Sequence, residues 1–195
     1  AAMEKHIVEL EALGVKRPAS TPIFYRVAAA RLTTAPEIQV SGSDSSGEVE
    51  FFLAAIDGRL WLGVGSDHTD RKVETIGVTI SKQMCDKPVG AVVWPYDEVA
   101  GHWNQLKLRS FAVEAGRRSL YQEGPVTTML DPLDLIARYP AGKGQLPEGA
   151  LMFCGTLAAK GGIRPSERFE IELEDPVLGR KLTHAYDIAS LPVEG

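Results

Sequence analysis

The chain has 195 residues, 44% of them hydrophobic and 24% charged, with a formal net charge of -5. A length near the roughly 150 residues of a typical domain suggests one domain over residues 1–195, and this apolar content excludes a disordered chain. With 21 basic against 26 acidic residues there is no broad positive surface for phosphate backbones, so nucleic acid is not expected as a partner.

Two cysteines, Cys85 and Cys154, are too few for a disulfide scaffold and lack zinc-site spacing, so both are expected reduced. No apolar run approaches the roughly 18 residues of a membrane helix, and the start lacks the pattern of a signal peptide. We therefore expect no membrane partner and a cytoplasmic location. The opening Ala1-Ala2-Met3-Glu4 passes almost at once into helical periodicity, a start compatible with truncation.

Ile7, Leu10 and Leu13 fall three apart, with Gly14 where a helix C-cap would stand, and predict a helix from Met3 to Gly14. Pro22–Ala30 has the aromatic and β-branched content of a strand, although its alanine-rich end could turn helical. The polar stretch Ser41–Gly47 reads as a loop. Glu48–Ile56 and Arg59–Gly65 are apolar runs separated by Asp57-Gly58, a strong hairpin signal. Short strands are expected at Thr75–Ile80, Ala91–Trp94, Gln105–Val113, Leu151–Cys154, Phe169–Leu173 and Lys181–Ile188. Helices are expected at Tyr96–Trp103 and Pro132–Arg138. Strands outnumber helices and do not alternate with them, which predicts a β-rich α+β fold rather than a doubly wound parallel sheet.

Glu48 and Glu50 lie two apart on a predicted strand and so share a sheet face, an oxygen-rich arrangement that suits a hard cation such as Mg2+. The alternative is the solvated face of a strand. The hairpin returns the residue after its second strand toward the start of the first, so Asp67 can approach both glutamates; alternatively Asp67 or Asp70 caps a turn and pairs with Arg71. His6 and Glu9 share a helix face, as a general base and its orienting carboxylate or as an exposed pair. Lys82 can stabilise an anion or stand solvated, and Gly155-Thr156 offers a strand-end turn with backbone N–H groups and a hydroxyl. No phosphate loop, zinc motif or nucleophile elbow is present. Trp61, Trp94 and Trp103 suit a core or an interface equally.

The order of these pieces resembles the fumarylacetoacetate hydrolase superfamily in its small bacterial form. His6-Ile7-Val8-Glu9 stands for the family's His-x-x-Glu, and Pro22-Ile23-Phe24-Tyr25-Arg26 for its Pro-x-x-Phe-x-Lys, with arginine for lysine. Glu48-Val49-Glu50 stands for Glu-x-Glu, Ser66-Asp67-His68-Thr69-Asp70-Arg71 for an Asn-Asp-x-Thr/Ser-x-Arg segment with serine for asparagine, Lys82 for a lysine, and Gly155-Thr156 for a Gly-Thr turn. The stretch from Asp67 to Lys82 is shorter than is usual there, and the segment after the turn is altered.

The resemblance implies a mixed β-roll, usually homodimeric, in which Glu48, Glu50 and Asp67 bind Mg2+ or Mn2+. It implies that His6 and Glu9 activate water and that Lys82 supports a developing enolate. Arg26, Arg71 and Thr156 are then the candidates for binding the substrate's carboxylate. The expected substrate is a small-molecule oxo acid, an acylpyruvate or related 2-oxo or 1,3-dicarbonyl acid cleaved at a carbon–carbon bond. An oxaloacetate-type decarboxylase or tautomerase is the alternative chemistry. A metal-free binding or assembly protein that keeps the fold is the alternative of another class.

Overall fold

A computed structural model describes Ile7, Val8, Glu11, Ala12, Gly14 and residues 21–194. His6 and Glu9, and most of the expected first helix, lie outside these. Ile7, Val8, Glu11 and Ala12 are helical, and Gly14, with φ +89°, donates its N–H to the Glu11 carbonyl as a C-terminal cap would.

Thirteen strands follow: β1 (Leu32–Thr33), β2 (Glu37–Ser41), β3 (Ser45–Ser46), β4 (Val49–Ile56), β5 (Arg59–Ser66), β6 (Thr69–Asp70), β7 (Lys87–Pro88), β8 (Trp94–Pro95), β9 (Lys107–Glu114), β10 (Arg117–Pro125), β11 (Leu151–Thr156), β12 (Arg168–Asp175) and β13 (Arg180–Leu191). Four short helices are interspersed: α1 (Arg71–Glu74), α2 (Val78–Met84), α3 (Tyr96–Ala100) and α4 (Pro132–Arg138). The fold is mixed α+β and strand-rich, as expected, without a closed barrel among the described residues.

Two sheets carry the fold, a five-stranded one in the order β10-β9-β12-β13-β2 and a four-stranded one in the order β11-β4-β5-β8. Every pairing in them is antiparallel except β13 with β2. Alternation sets their contact: Val49, Phe51 and Leu53 of β4 are fully buried with Leu108 and Ala112 of β9 and Phe169, Ile171 and Leu173 of β12. Phe52 and Ala54, on the opposite face of β4, join Val89 and Phe153 in a second cluster. There the ring of Phe52 lies so close on Gly63 that a Cβ at that glycine would stand 2.0 Å from it.

The hairpin forms as expected. Asp57 and Gly58, at φ +53° and +70°, make a two-residue turn that pairs Ile56 with Arg59 and carries the register to Val49 opposite Ser66.

Three expectations are corrected. Pro22–Ala30 is not a strand: the segment has no ladder partner, runs irregularly along a cavity and ends in a 3-10 turn at Ala29–Arg31. Thr75–Ile80 is not a strand either, because Asp70 accepts the Val73 N–H at 2.8 Å and starts α1, and α2 follows after Gly77. Ala91–Trp94 contributes only its last residue, as part of β8. Six strands were not foreseen: β1, β2, β3, which falls inside the expected loop Ser41–Gly47, β6, β7 and β10, which pairs with β9 through a tight turn at Ala115 and Gly116, both at positive φ.

Candidate metal centre

Glu48 and Glu50 project from one face of the strand start, and the hairpin register puts Asp67 beside them: the Asp67 N–H donates to the Glu48 carbonyl at 3.0 Å, one step beyond the Val49–Ser66 pair. One carboxylate oxygen from each of Glu48, Glu50 and Asp67 lies within 4.8 Å of the others. The glutamates are 3% and 5% exposed, so this is not the solvated face of a strand.

Among the described residues, three cations surround the cluster. Lys82, on α2, places its ammonium 2.6 Å from Asp67 and 3.4 Å from Glu48. Lys87, on β7, approaches the other Asp67 oxygen at 2.8 Å and donates to the His68 carbonyl. Arg71 stands behind Glu48, 3.0 Å from one of its oxygens and 2.9 Å from Glu74, with its Nε on Ser46 Oγ at 2.7 Å.

Burial opposes the charge on Lys82, but Asp67, Glu48 and Glu50 outweigh it and hold the ammonium's pKa above its usual value. Burial likewise opposes the charge of Asp67, and Lys82 and Lys87 override it to keep that carboxyl below its usual range. Glu50 differs. Among the described residues it makes no ion pair; it accepts the Gly155 N–H at 2.6 Å, and burial followed by the charges of Asp67 and Glu48 pushes its carboxyl up to about 8. Among the described residues, four acids, Glu48, Glu50, Asp67 and Glu74, face three bases, Arg71, Lys82 and Lys87, and Glu50 is the acid that none of the three bases pairs. An all-oxygen donor set of three buried carboxylates fits a hard divalent cation.

A buried network holds the backbone that carries the carboxylates. The Tyr186 hydroxyl donates to Ser66 Oγ at 2.8 Å, and Ser66 Oγ also accepts the Glu48 N–H at 3.1 Å. The Tyr186 oxygen therefore accepts from Nδ1–H of His68 at 3.0 Å, and His68 Nε2 accepts from Ser45 at 2.9 Å. Burial, followed by Lys87 and Arg71, pushes this imidazole down to about 3, so it is a neutral structural group. Gln122, from the other sheet, accepts the Val49 N–H at 3.0 Å and the Ser110 hydroxyl at 2.8 Å, and donates to Thr156 Oγ1 at 2.8 Å and to the Leu157 carbonyl.

The cluster opens on a cavity of about 1000 Å3, lined also by Arg26, Lys82, Lys87, Gly155 and Thr156. The expected residues Glu48, Glu50, Asp67 and Lys82 therefore meet at one place. Arg26 lies elsewhere on the same wall, donating to the Tyr139 hydroxyl at 2.6 Å. The Thr156 hydroxyl is engaged within the sheet, donating to the Val49 carbonyl at 2.8 Å while accepting from Gln122. Arg71 does not line the cavity. The sequence reading missed Lys87, Gln122, Tyr186 and the role of His68. Of these only Tyr186 lay on an expected strand, Lys181–Ile188, whereas Gln122 lies on β10, which was not foreseen.

Solved structures with this fold include a hexagonal crystal form of 2-keto-3-deoxyarabinonate dehydratase, which is 17% identical with a TM-score of 0.69 over 87% of this chain and 62% of its own. The 2-keto-3-deoxy-D-arabinonate dehydratase complexed with magnesium and 2,5-dioxopentanoate is 16% identical with a TM-score of 0.67 over 93% of this chain and 71% of its own. The apo form of that dehydratase is 17% identical with a TM-score of 0.66 over 91% of this chain and 64% of its own. This chain thus spans less than two thirds of the first of these proteins. At such identities the likeness concerns the fold, which is of the fumarylacetoacetate hydrolase type. No curated protein matches the chain by sequence. Over residues 1–186 the sequence matches the family described as Protein of unknown function (DUF2848), and the chain belongs to that family.

Proposed function

We propose that the protein is a divalent-metal-dependent enzyme that binds Mg2+ or Mn2+ through Glu48, Glu50 and Asp67 and cleaves a carbon–carbon bond in an acylpyruvate or related 2-oxo or 1,3-dicarbonyl acid. The observation that carries this reading is the buried three-carboxylate cluster opening on a cavity, in which Glu50 makes no ion pair among the described residues. The fold shared with a dehydratase described in complex with magnesium and 2,5-dioxopentanoate supports it. When bound, the cation would supply Lewis acidity to two oxygens of the acid and favour its enolate.

The chain's own residues would do the rest. Lys82, kept charged by its carboxylate neighbours and lining the cavity, contributes positive charge where the enolate develops. His6, oriented by Glu9, takes a proton from the attacking water in the hydrolytic scheme. Arg26 offers its guanidinium to the substrate carboxylate. Thr156 holds the β11–β4 register beside Glu50, and Arg71 fixes Glu48.

A second reading keeps the metal and the oxo acid but removes a leaving group without attacking water, and the dehydratase neighbours favour it. Product analysis separates the two: two acids from an acylpyruvate indicate hydrolysis, and full turnover by His6→Ala indicates elimination or decarboxylation. The test of the shared step is a Mg2+ and Mn2+ titration by calorimetry on the native protein and on Glu50→Gln. Saturable binding that the substitution weakens by at least about tenfold is expected. No binding by the native protein overturns the reading and leaves a binding protein with this fold.

A further inference from the structure

The cavity's walls differ in character from its charged end. Phe24, Met129, Leu130, Leu146, Leu151 and Phe153 line it, and all but Leu146 are only half-buried, so they present apolar surface to whatever enters. Away from the charged end the polar side chains on the described wall are Thr21, Tyr25, Arg26, Thr128, Tyr139 and Glu148, and four of these six are already engaged. Glu148 accepts the N–H groups of Asp57 and Gly58 at 2.7 and 3.2 Å, Thr128 donates to the Pro125 carbonyl at 2.6 Å, and the Tyr139 hydroxyl accepts from Arg26. A chain of hydroxyl groups entering here would lose its water partners and find few replacements, a loss that burial makes costly. The volume, about 1000 Å3, lies at the upper end of the roughly 300–1000 Å3 of small-molecule sites and exceeds what a five-carbon acid fills.

We propose, on the basis of the metal-dependent oxo-acid reading above, that the substrate carries an extended apolar group, alkyl or aryl, beyond its chelating head, and that the apolar wall selects it against polyhydroxylated oxo acids. Apolar burial scales with length, so each added methylene should strengthen binding about three- to fourfold until the cavity is full.

The experiment is calorimetry of the Mg2+-loaded protein with pyruvate, with unbranched 2-oxo acids of increasing length, with phenylpyruvate, and with a polyhydroxylated 2-oxo acid. Expected are the stepwise gain along the alkyl series, tighter binding of phenylpyruvate than of pyruvate, and no gain for the polyhydroxylated acid. Leu130→Ser should reduce the gain for long chains about tenfold or less while leaving pyruvate binding unchanged. A flat alkyl series with pyruvate still binding, tighter binding of the polyhydroxylated acid, or a Leu130→Ser protein that binds every acid as the native one does overturns the inference alone. Failure of Mg2+ and every acid to bind overturns the function on which it rests, and the inference with it.

Discussion

Glu50 is the residue on which the metal-site reading turns. Its pKa is raised, so its ionisation opposes folding once the pH exceeds the ordinary value of 4.5, and most fully above about pH 8. In the presence of a chelator at pH 8, Glu50→Gln should therefore melt above the native protein by at least about 3 °C, the shift that roughly 1 kcal/mol gives a chain of this size. Thermal unfolding with and without Mg2+ checks both halves, since the variant should also lose the metal-dependent rise. Gly155 bears on the same carboxylate from the other side. Its φ of +101° turns its N–H onto Glu50, and a Cβ there would meet Met129 at 3.3 Å. Gly155→Ala should cost about 1–3 kcal/mol and weaken the Mg2+ response, whereas a merely strained turn would leave that response intact; denaturant unfolding and metal titration separate the two. At this scale the sequence disclosed Glu48, Glu50 and Asp67, because period-two alternation and the hairpin are local rules, while Lys82 stood out through its place between apolar stretches and the family resemblance. It disclosed nothing of Lys87, which reaches Asp67 only because β7 passes the end of β5.

Between elements, buried polar groups rather than apolar area join the two sheets near the site. Gln122 of β10 uses four hydrogen bonds to tie β4, β9 and the end of β11 together. Gln122→Leu keeps most of the volume but strands the Val49 N–H, and should destabilise the protein by about 2–4 kcal/mol, read as a lower denaturant midpoint at unchanged slope. Local chemistry made the β4–β5 hairpin and α4 legible: Asp57-Gly58 in one case, Asp131 capping the Leu133 and Asp134 N–H groups before Pro132 in the other. It misled at Pro22–Ala30, where strand-forming residues find no ladder to join, and at Thr75–Ile80, where the Asp70 cap decides for helix. Propensity is a weak prior when pairing or a cap contradicts it.

For the whole molecule, Asp175, at the end of β12 and away from the carboxylate cluster, should contribute to acid sensitivity. It is fully buried, and although burial opposes its charge, the Leu178 N–H, His102 and Arg180 together hold its carboxyl below the usual range. A depressed pKa contributes stability above the ordinary value near 3.8 that is lost as the pH falls through the folded value. Asp175→Asn should therefore be less stable than the native protein at pH 7 by about 1–3 kcal/mol and converge on it as the pH falls below 3.8, as equilibrium unfolding across pH would show. The same scale decides the chemistry, since the cavity exists only where the segment after Thr21, the loop before α4 and β11 close over the carboxylates.

What the sequence by itself determined is what neighbours in the chain can dictate: a strand-rich α+β fold, the Asp57-Gly58 hairpin, two glutamates on one face, and a third carboxylate returned to them by the turn. What only the tertiary structure decided is what depends on partners 70 to 120 residues away, as with Val49 and Gln122 or Ser66 and Tyr186. The burial that raises Glu50 and the order of the five-stranded sheet likewise depend on the packed whole, and so, over 23 residues, does the clamp of Arg71 behind Glu48. The physical reason is that side-chain periodicity and turn geometry act over a few residues, whereas desolvation and charge balance are properties of the packed whole.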